Sequence, residues 1–581
     1  MSVNLNFRFC TVQIAHISRL SGHNSIMVIS VSQRRLTQVL LWIAPATTLA
    51  VSPFSNYDPI SLPKMTVLTT VSFAVVGICV ASGLKNLINN SKVFSILTLA
   101  FLLSLLVPIF ASGTEIAQQI WGAFGRNTGF LTYFSLAILT WAASNASTDL
   151  FGAKVIKSLI VTAIIVTIYC LIQIGGYDPI NWSMMDTFAT LGNINFLSAF
   201  LGLSSITALA MLFSKETTSM WRMSSALLVL SGLPIIWSTG SIQGLMMFAL
   251  GAYLVVFFFA KVLLKTRVFV WLYFLAGAIG TYFVLRGLRN EGPLASFLFQ
   301  PSVTFREDYM HAGWEMMVMK PWTGVGLDSY GDWYRQARGE ISTLRAGLDR
   351  VSNSAHNIFL DLASGGGVLV LLLYLSFYVL CFIQCMKYIR RTPKFDPIFV
   401  ALFSSWCAYI LQALVSINQI GVGVWGALLL GALVRYTRRP SDDLSGEEKR
   451  KAKTGSRDKN AVLPAKVALV SYFFGALGFF AAFPALRIDA DFRKASTPEL
   501  SRSVASSNLA RSFYKELTLE KYMEASRYDE AKSLATEIVQ KHPRSFYAWR
   551  MLSLLANSSG SEVEAAKIKL RGLDPFNPDI G

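Results

Sequence analysis

Thirteen stretches of about 20 mainly apolar residues divide this 581-residue chain, and they limit its possible folds more than any other feature. A helix needs roughly 20 apolar residues to cross the hydrocarbon core of a bilayer, so each stretch predicts a transmembrane helix. The predicted spans are residues 36–53, 65–84, 94–112, 127–145, 155–175, 191–213, 222–238, 241–260, 267–286, 364–385, 397–416, 420–437 and 465–485. The chain is therefore predicted to be an all-α polytopic membrane protein with about 12–13 transmembrane helices.

The composition excludes several other classes of protein. Only 15% of the residues are charged, whereas a soluble globular chain carries about 25%. The net charge of +18 comes from basic residues between the apolar stretches, so it indicates membrane topology and no nucleic-acid partner. The six cysteines are scattered, with one close pair in CFIQC at 381–385. We therefore expect no disulfide framework, no metal site and no cofactor.

The positions of the basic residues predict the orientation. Every second connection between the spans is basic, as in 261–267 and 387–394, and the intervening connections are neutral or acidic. Short cytoplasmic loops are enriched in Lys and Arg, so the amino terminus is predicted inside the cell. Thirteen spans then place the carboxyl terminus and the long connection 287–355 on the outer side.

The predicted spans divide the chain into five parts. We predict a cytoplasmic tail at 1–35, a membrane domain at 36–437, a cytoplasmic linker at 438–464, a last transmembrane helix at 465–485 and an outer helical domain at 486–581. The last part resembles tetratricopeptide repeats, with small or helix-ending residues at Ala531, Pro543, Ala548, Ala565 and Pro575. One or two repeats are too few to stand alone, so we expect them to pack on the membrane domain or on a protein partner.

An ordered set of motifs lies in and around the long connection. The chain reads FREDYMHAGWEMMVMKPWTGVG at 305–326 and, after a gap, NSAHNIFL at 353–360. This order, an Arg, a Trp, PxxGxG and then a His-Asn pair opening a helix, resembles the O-antigen ligase and polymerase superfamily of bacterial membrane glycosyltransferases. AFGRNTGFLTYF at 123–134 and three other segments follow in family order, and the resemblance covers roughly 36–437. The matching motif positions are Arg306, Trp314, Pro321, Gly324, Gly326, His356 and Asn357.

The resemblance implies a C-type glycosyltransferase fold in the bacterial cytoplasmic (inner) membrane. It also implies a metal-independent enzyme that transfers a glycan from undecaprenyl pyrophosphate to an acceptor hydroxyl on the outer face, as in cell-surface polysaccharide biosynthesis. Polymerases and protein O-glycosylating ligases of the superfamily need the same base and phosphate clamp, so the acceptor, a glycan or a lipid-linked molecule, stays open. Two other classes of function are a transporter or flippase of lipid-linked sugars and a membrane scaffold.

His356 is the candidate catalytic base. Glycosyl transfer needs a group to take the proton of the acceptor hydroxyl, and histidine has a suitable pKa. Of the five histidines, His356 is the one predicted at the outer mouth of a helix. The alternative is an interfacial histidine with a structural role.

Arginines are the candidate ligands of the donor pyrophosphate, because a guanidinium is always charged and forks onto phosphate oxygens. Arg306, Arg126 and Arg338 all fall on the predicted outer side. The alternatives are pairing of Arg306 with Glu307 or Asp308, and anchoring of Arg126 to lipid head groups.

Four amides are candidate supporting residues. Asn357 belongs to the His-Asn pair, and Asn193 and Asn195 either line a polar cavity or make structural hydrogen bonds. Gln243, in STGSIQGLMM, stands where many relatives carry a membrane arginine, so Arg126 or another loop arginine would have to replace that charge. The aromatic residues either stack on sugars or form a belt at the membrane surface; they are Trp314, Trp322, Tyr330, Trp333 and Tyr334.

Overall fold

The computed structural model describes residues 32–84, 87–88, 91–146, 150–182, 186–215, 217–438, 465–555 and 560–580. Within these ranges all regular secondary structure is helical. Most of the predicted amino-terminal tail and nearly all of the predicted linker 438–464 lie outside the described residues.

The helices of the membrane part alternate with short connections. They are α1 (32–49), α2 (Ser61–Ala81), α3 (Lys92–Ser104), α4 (Leu106–Ala111), α5 (Ile116–Trp121), α6 (Phe130–Ser144), α7 (Phe151–Ile174), α8 (Ile194–Leu212), α9 (Ser219–Ser238), α10 (Ile242–Leu264), α11 (Arg267–Leu288), α12 (Ala295–Leu298), α13 (Pro301–Met319), α14 (Tyr330–Ala337), α15 (Glu340–Ala346), α16 (Ile358–Arg391), α17 (Pro397–Val415), α18 (Ile420–Thr437) and α19 (Ala465–Lys494). We call residues 289–357, between α11 and α16, the loop region.

Five further helices follow α19 and form what we call the tail, residues 498–580. They are α20 (Pro498–Ala505), α21 (Ser512–Glu524), α22 (Tyr528–Lys541), α23 (Phe546–Leu554) and α24 (Gly560–Leu573), with a final 3₁₀ turn at Pro578–Ile580. Helices α21 to α24 each pack on the next in sequence, around a small core that includes Leu519, Leu534 and Ile538. Assignment of these helices to tetratricopeptide repeats stays a prediction.

The predicted fold class is confirmed. Eleven helices in the described part of the chain are long and apolar enough to cross a membrane, α3 and α4 counting as one. The other two predicted spans fall on α1 and on α6, which has only 15 residues. The chain is thus an all-helical polytopic membrane protein.

Two helix boundaries differ from the sequence prediction. Helix α16 begins at Ile358, six residues before the predicted 364, because Asn357 caps it. Helix α19 continues through Pro484 to Lys494, beyond the predicted end at 485. Its last turns are held by Asp489, whose carboxylate accepts the backbone N–H groups of Tyr57 and Asp58 at 2.6 and 3.1 Å.

Packing differs strongly among the spans. Helix α18 is central, with 83% of its apolar window buried, whereas none of that window of α11 is buried. Helix α19 returns along α2, where glycines bring the two backbones together. A Cβ on Gly77 would lie 2.8 Å from the Cα of Ser471, so a larger residue would push α19 away.

Candidate functional site

His356 lies at the junction between the loop region and α16. Its backbone has a φ of +52°, which an L-residue rarely adopts, and Asn357 after it caps α16 by accepting the N–H groups of Phe359 and Leu360. The cap fixes where the helix begins, and the left-handed turn sets the direction of the imidazole. The His-Asn pair therefore has a local structural reason, with Asn357 shaping the turn that presents His356.

Asp361 holds the turn in place from within α16. Its carboxylate accepts the Ser354 hydroxyl and the Ala355 N–H, both at 2.8 Å. The Ser354 hydroxyl oxygen in turn accepts the N–H of His356 at 2.9 Å. The backbone that carries His356 is thus fixed by three hydrogen bonds that trace back to one buried carboxylate.

The His356 ring faces a cavity of about 530 Å³. Its ring nitrogens make no hydrogen bond to any residue that the structure describes, and the ring stacks on Tyr309. Burial, with the nearby positive charges of Arg306 and Arg126, lowers the pKa of His356 from 6.5 to about 3. The imidazole is therefore neutral at physiological pH and has a free lone pair, as a proton acceptor requires.

Arg126 is buried beside the same turn. Its guanidinium pairs with Asp328 at 3.2 Å and with Asp361 at 3.3 Å, and it donates to the carbonyl of Asn353. Two buried carboxylates therefore compensate its charge, and its terminal NH groups donate to Asp361 and to the Asn353 carbonyl. Arg126, a predicted phosphate ligand, instead acts as a clamp that joins the loop region to α16. Its partner Asn353 lies three residues before His356.

The PxxGxG segment docks on a break in α16. Val325 N–H donates to the Ser364 carbonyl at 2.8 Å, and Val368 N–H donates to the Pro321 carbonyl at 2.8 Å. Gly367 leaves the helical conformation at φ +82°, and a Cβ on Gly324 would lie 2.3 Å from Gly365. The glycines thus allow two backbones to approach, which fixes the loop region on the helix that begins at His356.

Arg306 lies on α13, one turn before Tyr309. It is half-buried, and its charge lowers the pKa of His356. No carboxylate within the described part of the chain lies in salt-bridge distance of Arg306. Its two acidic neighbours in sequence lie elsewhere: Asp308 pairs with Arg345, and Glu307 is exposed. Burial lowers the pKa of Arg306. The sequence alternative of an Arg306 ion pair with Glu307 or Asp308 is therefore absent, and the guanidinium is available to an anion.

Arg338, the third predicted phosphate ligand, lies elsewhere. It is almost fully buried and pairs with Asp574 of the tail at 2.8 Å. It also donates to the carbonyls of Leu348 and Arg350 at 3.0 Å. Arg338 is not among the residues that line the cavity beside His356, and its donors join the tail to the loop region.

The membrane amides form a separate group. Asn193 caps α8 by accepting the N–H of Asn195 at 2.8 Å, and the Asn195 amide oxygen accepts the Ser241 hydroxyl at 2.8 Å. Gln243 is 5% exposed, and neither of its amide atoms has a hydrogen-bond partner among the residues that the structure describes. These contacts give Asn193 and Asn195 structural roles and leave Gln243 as a buried amide in need of a partner.

The loop-region aromatic residues divide into two groups. Trp314 and Trp322 are 53% and 73% exposed, whereas Tyr330 and Tyr334 are buried against Tyr309. Trp333 lies under the guanidinium of Arg544, 3.4 Å from its ring centroid. Only Trp314 and Trp322 are therefore exposed for a surface belt or a sugar.

The residues of the loop region fall within a known family pattern. Residues 224–375 match the family model described as O-antigen ligase. The match supports the O-antigen ligase superfamily. It is less than half of the chain and contains Arg306, Tyr309, His356 and Asp361. No curated protein matches the chain.

The tail lies outside the O-antigen ligase match, yet it forms part of the cavity beside His356. The lining residues are Tyr309, Gly331, Asp332, Arg335, Val351, Ser352, Asn353 and His356 from the loop region, and Glu516, Arg544, Ser545, Phe546, Tyr547, Arg550 and Leu573 from the tail. In the described part of the chain, no group of three His, Cys, Asp or Glu residues is arranged to hold a metal ion.

Sequence reasoning missed three kinds of residue. Tyr309 was detectable, because it stands three positions after Arg306, the spacing that places two side chains on one face of a helix. Asp361 was detectable as an acid in the first turn of α16. Asp328 and the tail residues carry no local signal, because only the tertiary fold brings them to the site.

Proposed function

We propose that the chain is a glycosyltransferase of the O-antigen ligase type in the inner membrane. It transfers a glycan from an undecaprenyl-pyrophosphate-linked donor to an acceptor hydroxyl on the outer face. The observation that carries this proposal is a neutral, cavity-facing His356 close to an arginine with no carboxylate partner, within the O-antigen ligase match.

The reaction uses two groups of the loop region. The acceptor hydroxyl gives its proton to a ring nitrogen of His356 while its oxygen bonds to the anomeric carbon of the donor sugar. The bond from that carbon to the pyrophosphate oxygen breaks, and undecaprenyl pyrophosphate leaves with the electron pair. Arg306 stabilises the charge that grows on the leaving group.

Donor binding also makes His356 a better base. The positive charge of Arg306 helps to hold the pKa of His356 low in the free protein. A bound pyrophosphate beside Arg306 compensates that charge, so the imidazolium is less strongly disfavoured. The base therefore gains proton affinity when the donor is in place.

The experiment is transfer by the purified full-length protein in detergent, with isotope-labelled lipid-linked oligosaccharide as donor. We expect Arg306→Ala to lower turnover by about 10- to 100-fold, because the loss of one charge-assisted hydrogen bond costs about 1.5–3 kcal/mol. Arg306→Lys should recover part of the loss, because an ammonium cannot fork onto two oxygens.

Arg345→Ala is the matched control, because Arg345 lies in the same loop region, is about 43% exposed and already pairs with Asp308. It should keep wild-type turnover. Wild-type turnover by correctly inserted Arg306→Ala would remove Arg306 from the donor site. The length of the product separates the two alternatives, because a ligase makes single additions whereas a polymerase makes long products.

A further inference from the structure

The cavity beside His356 has two walls of different origin. The loop region supplies Tyr309, Asp332 and His356, and the tail supplies Glu516, Arg544 and Tyr547 across from them. Its volume of about 530 Å³ falls within the roughly 300–1,000 Å³ that is usual for ligand pockets. The tail is thus placed to contact whatever His356 contacts.

The tail wall is fixed on the loop region by buried contacts. Asp574 pairs with Arg338 at 2.8 Å, and both side chains are almost fully buried. Arg544 stacks on Trp333, and Arg335 stacks on Phe546 at 4.1 Å from the ring centroid. A wall held in this way keeps its shape when a ligand enters.

A second attachment joins the tail to the residues around Arg126. Arg511, at the start of α21, is 2% exposed and donates to the Gly122 carbonyl and the Asn127 side chain at 2.8 and 2.9 Å. Phe124 and Phe513 stack with centroids 4.0 Å apart. The tail is therefore held at both of its ends next to the candidate site.

The charges of the cavity are balanced. Two of its arginines are already paired, Arg335 with Asp574 at 3.0 Å and Arg550 with Asp349 at 3.1 Å. Arg544 donates to Gln336 and to the carbonyl of Asp332. The remaining charged groups are the Arg544 guanidinium and the Asp332 and Glu516 carboxyls, one cation against two carboxyls. The cavity therefore does not offer the excess of free cations that a pyrophosphate needs.

The two carboxyls suit hydroxyl groups. Burial raises the pKa of Glu516 to about 7, whereas Asp332 is exposed to the cavity and its carboxylate accepts the Gln118 amide at 3.0 Å. Near neutral pH the Glu516 carboxyl exists in both protonation states, and it can accept from a hydroxyl or donate to one. Tyr547 and Phe546 add aromatic surface in the same wall.

The position of the base decides which sugar the cavity holds. A general base must be within hydrogen-bond reach of the hydroxyl whose proton it takes. His356 lines the cavity, whereas Arg306, the residue free for phosphate, is not among its lining residues. A sugar bound in this cavity would therefore be the one that carries the attacking hydroxyl.

We propose that this cavity is the acceptor subsite and that the tail, through Glu516, Arg544 and Tyr547, selects an acceptor whose terminal sugars are uncharged. The proposal rests on the proposed function for the role of His356. Its binding part, recognition of uncharged saccharides by the tail wall, can be tested without turnover.

The test uses the purified full-length protein in detergent on an array of immobilised neutral and acidic oligosaccharides. We expect the wild type to bind a subset of the neutral ones. Glu516→Gln and Tyr547→Ala should each weaken that binding by about 10-fold or more, the loss that one buried polar or stacking contact gives.

Two matched controls come from the same tail. They are Glu520→Gln and Tyr528→Ala. Glu520 lies one turn after Glu516 on α21, Tyr528 is 50% exposed, and both residues lie outside the cavity lining. Both should bind as the wild type does. Tyr547→Ala and Glu516→Gln test the same wall, so if one variant misfolds, the other still tests the proposal.

Three results would overturn the proposal: no neutral oligosaccharide bound by the wild type, a preference for acidic ones, or equal binding by the cavity and control variants. Failure of the proposed function has a different signature. It would appear as wild-type turnover in His356→Ala, with the saccharide binding of Glu516→Gln and Tyr547→Ala still reduced.

Discussion

The imidazole of His356 stacks on the phenol ring of Tyr309, with centroids 5.2 Å apart and planes inclined by 30°. Tyr309 stands one turn after Arg306 on α13, so one helix carries both the support of the candidate base and the candidate phosphate ligand. The separation between His356 and Arg306 is therefore set by a rigid element.

Replacement of Tyr309 tests this support. Tyr309→Ala removes the ring that holds the imidazole, so we expect turnover to fall by about 10- to 100-fold with little change in the KM for the donor. Tyr309→Phe keeps the ring and should retain most of the turnover. Steady-state kinetics measures both, and equal turnover in Tyr309→Ala and the wild type would show that the stack does not orient His356.

Arg126→Ala should destabilise the protein. The change leaves Asp328 and Asp361 buried without their cation, and breaking one side of a buried ion pair costs about 3–5 kcal/mol. Arg345→Ala, which breaks an exposed pair, should cost about 0–1 kcal/mol. Thermal unfolding in detergent compares them; equal midpoints for the two variants would contradict the clamp role of Arg126.

The pH dependence tests the electrostatics around His356. With its pKa lowered to about 3, protonation of His356 should not reduce turnover between pH 7 and about pH 5. Removal of a neighbouring cation favours the imidazolium, so Arg306→Ala should raise the pKa of His356 and move the acid limb to higher pH.

The comparison is between the kcat/KM profiles of the two proteins, since Glu516 titrates in both. Arg345→Ala serves as the control and should keep the wild-type profile. Superimposable profiles for Arg306→Ala and the wild type would show that Arg306 does not act on His356.

Orientation can be tested with single cysteines in a cysteine-free background. Ile341 in the loop region is 80% exposed, and Lys394 is exposed in the basic connection after α16. From the alternation of basic connections, an impermeant thiol reagent should label Ile341→Cys on intact cells and Lys394→Cys only after permeabilisation. The reverse pattern would place the candidate site on the cytoplasmic side.

The sequence predicted the spans well because apolar length is a local property. It also singled out the His-Asn pair and Arg306 as candidates from their order along the chain, and their catalytic roles stay predictions. It could not predict that Arg126 and Arg338 are taken up by Asp328, Asp361 and Asp574, because these partners are 202, 235 and 236 residues away. The part of the cavity formed by the tail could not be predicted from the sequence for the same reason.

The most direct test of the whole account is the turnover of a labelled lipid-linked glycan by purified His356→Ala. Loss of a general base typically costs about 10²–10⁴-fold, so we expect a decrease of that order with donor binding unchanged. His311→Ala is the control, because His311 is exposed, pairs with Glu315 at 3.8 Å and lies outside the cavity lining. If His356→Ala transferred glycan at the rate of the wild type and of His311→Ala, His356 would not be the catalytic base.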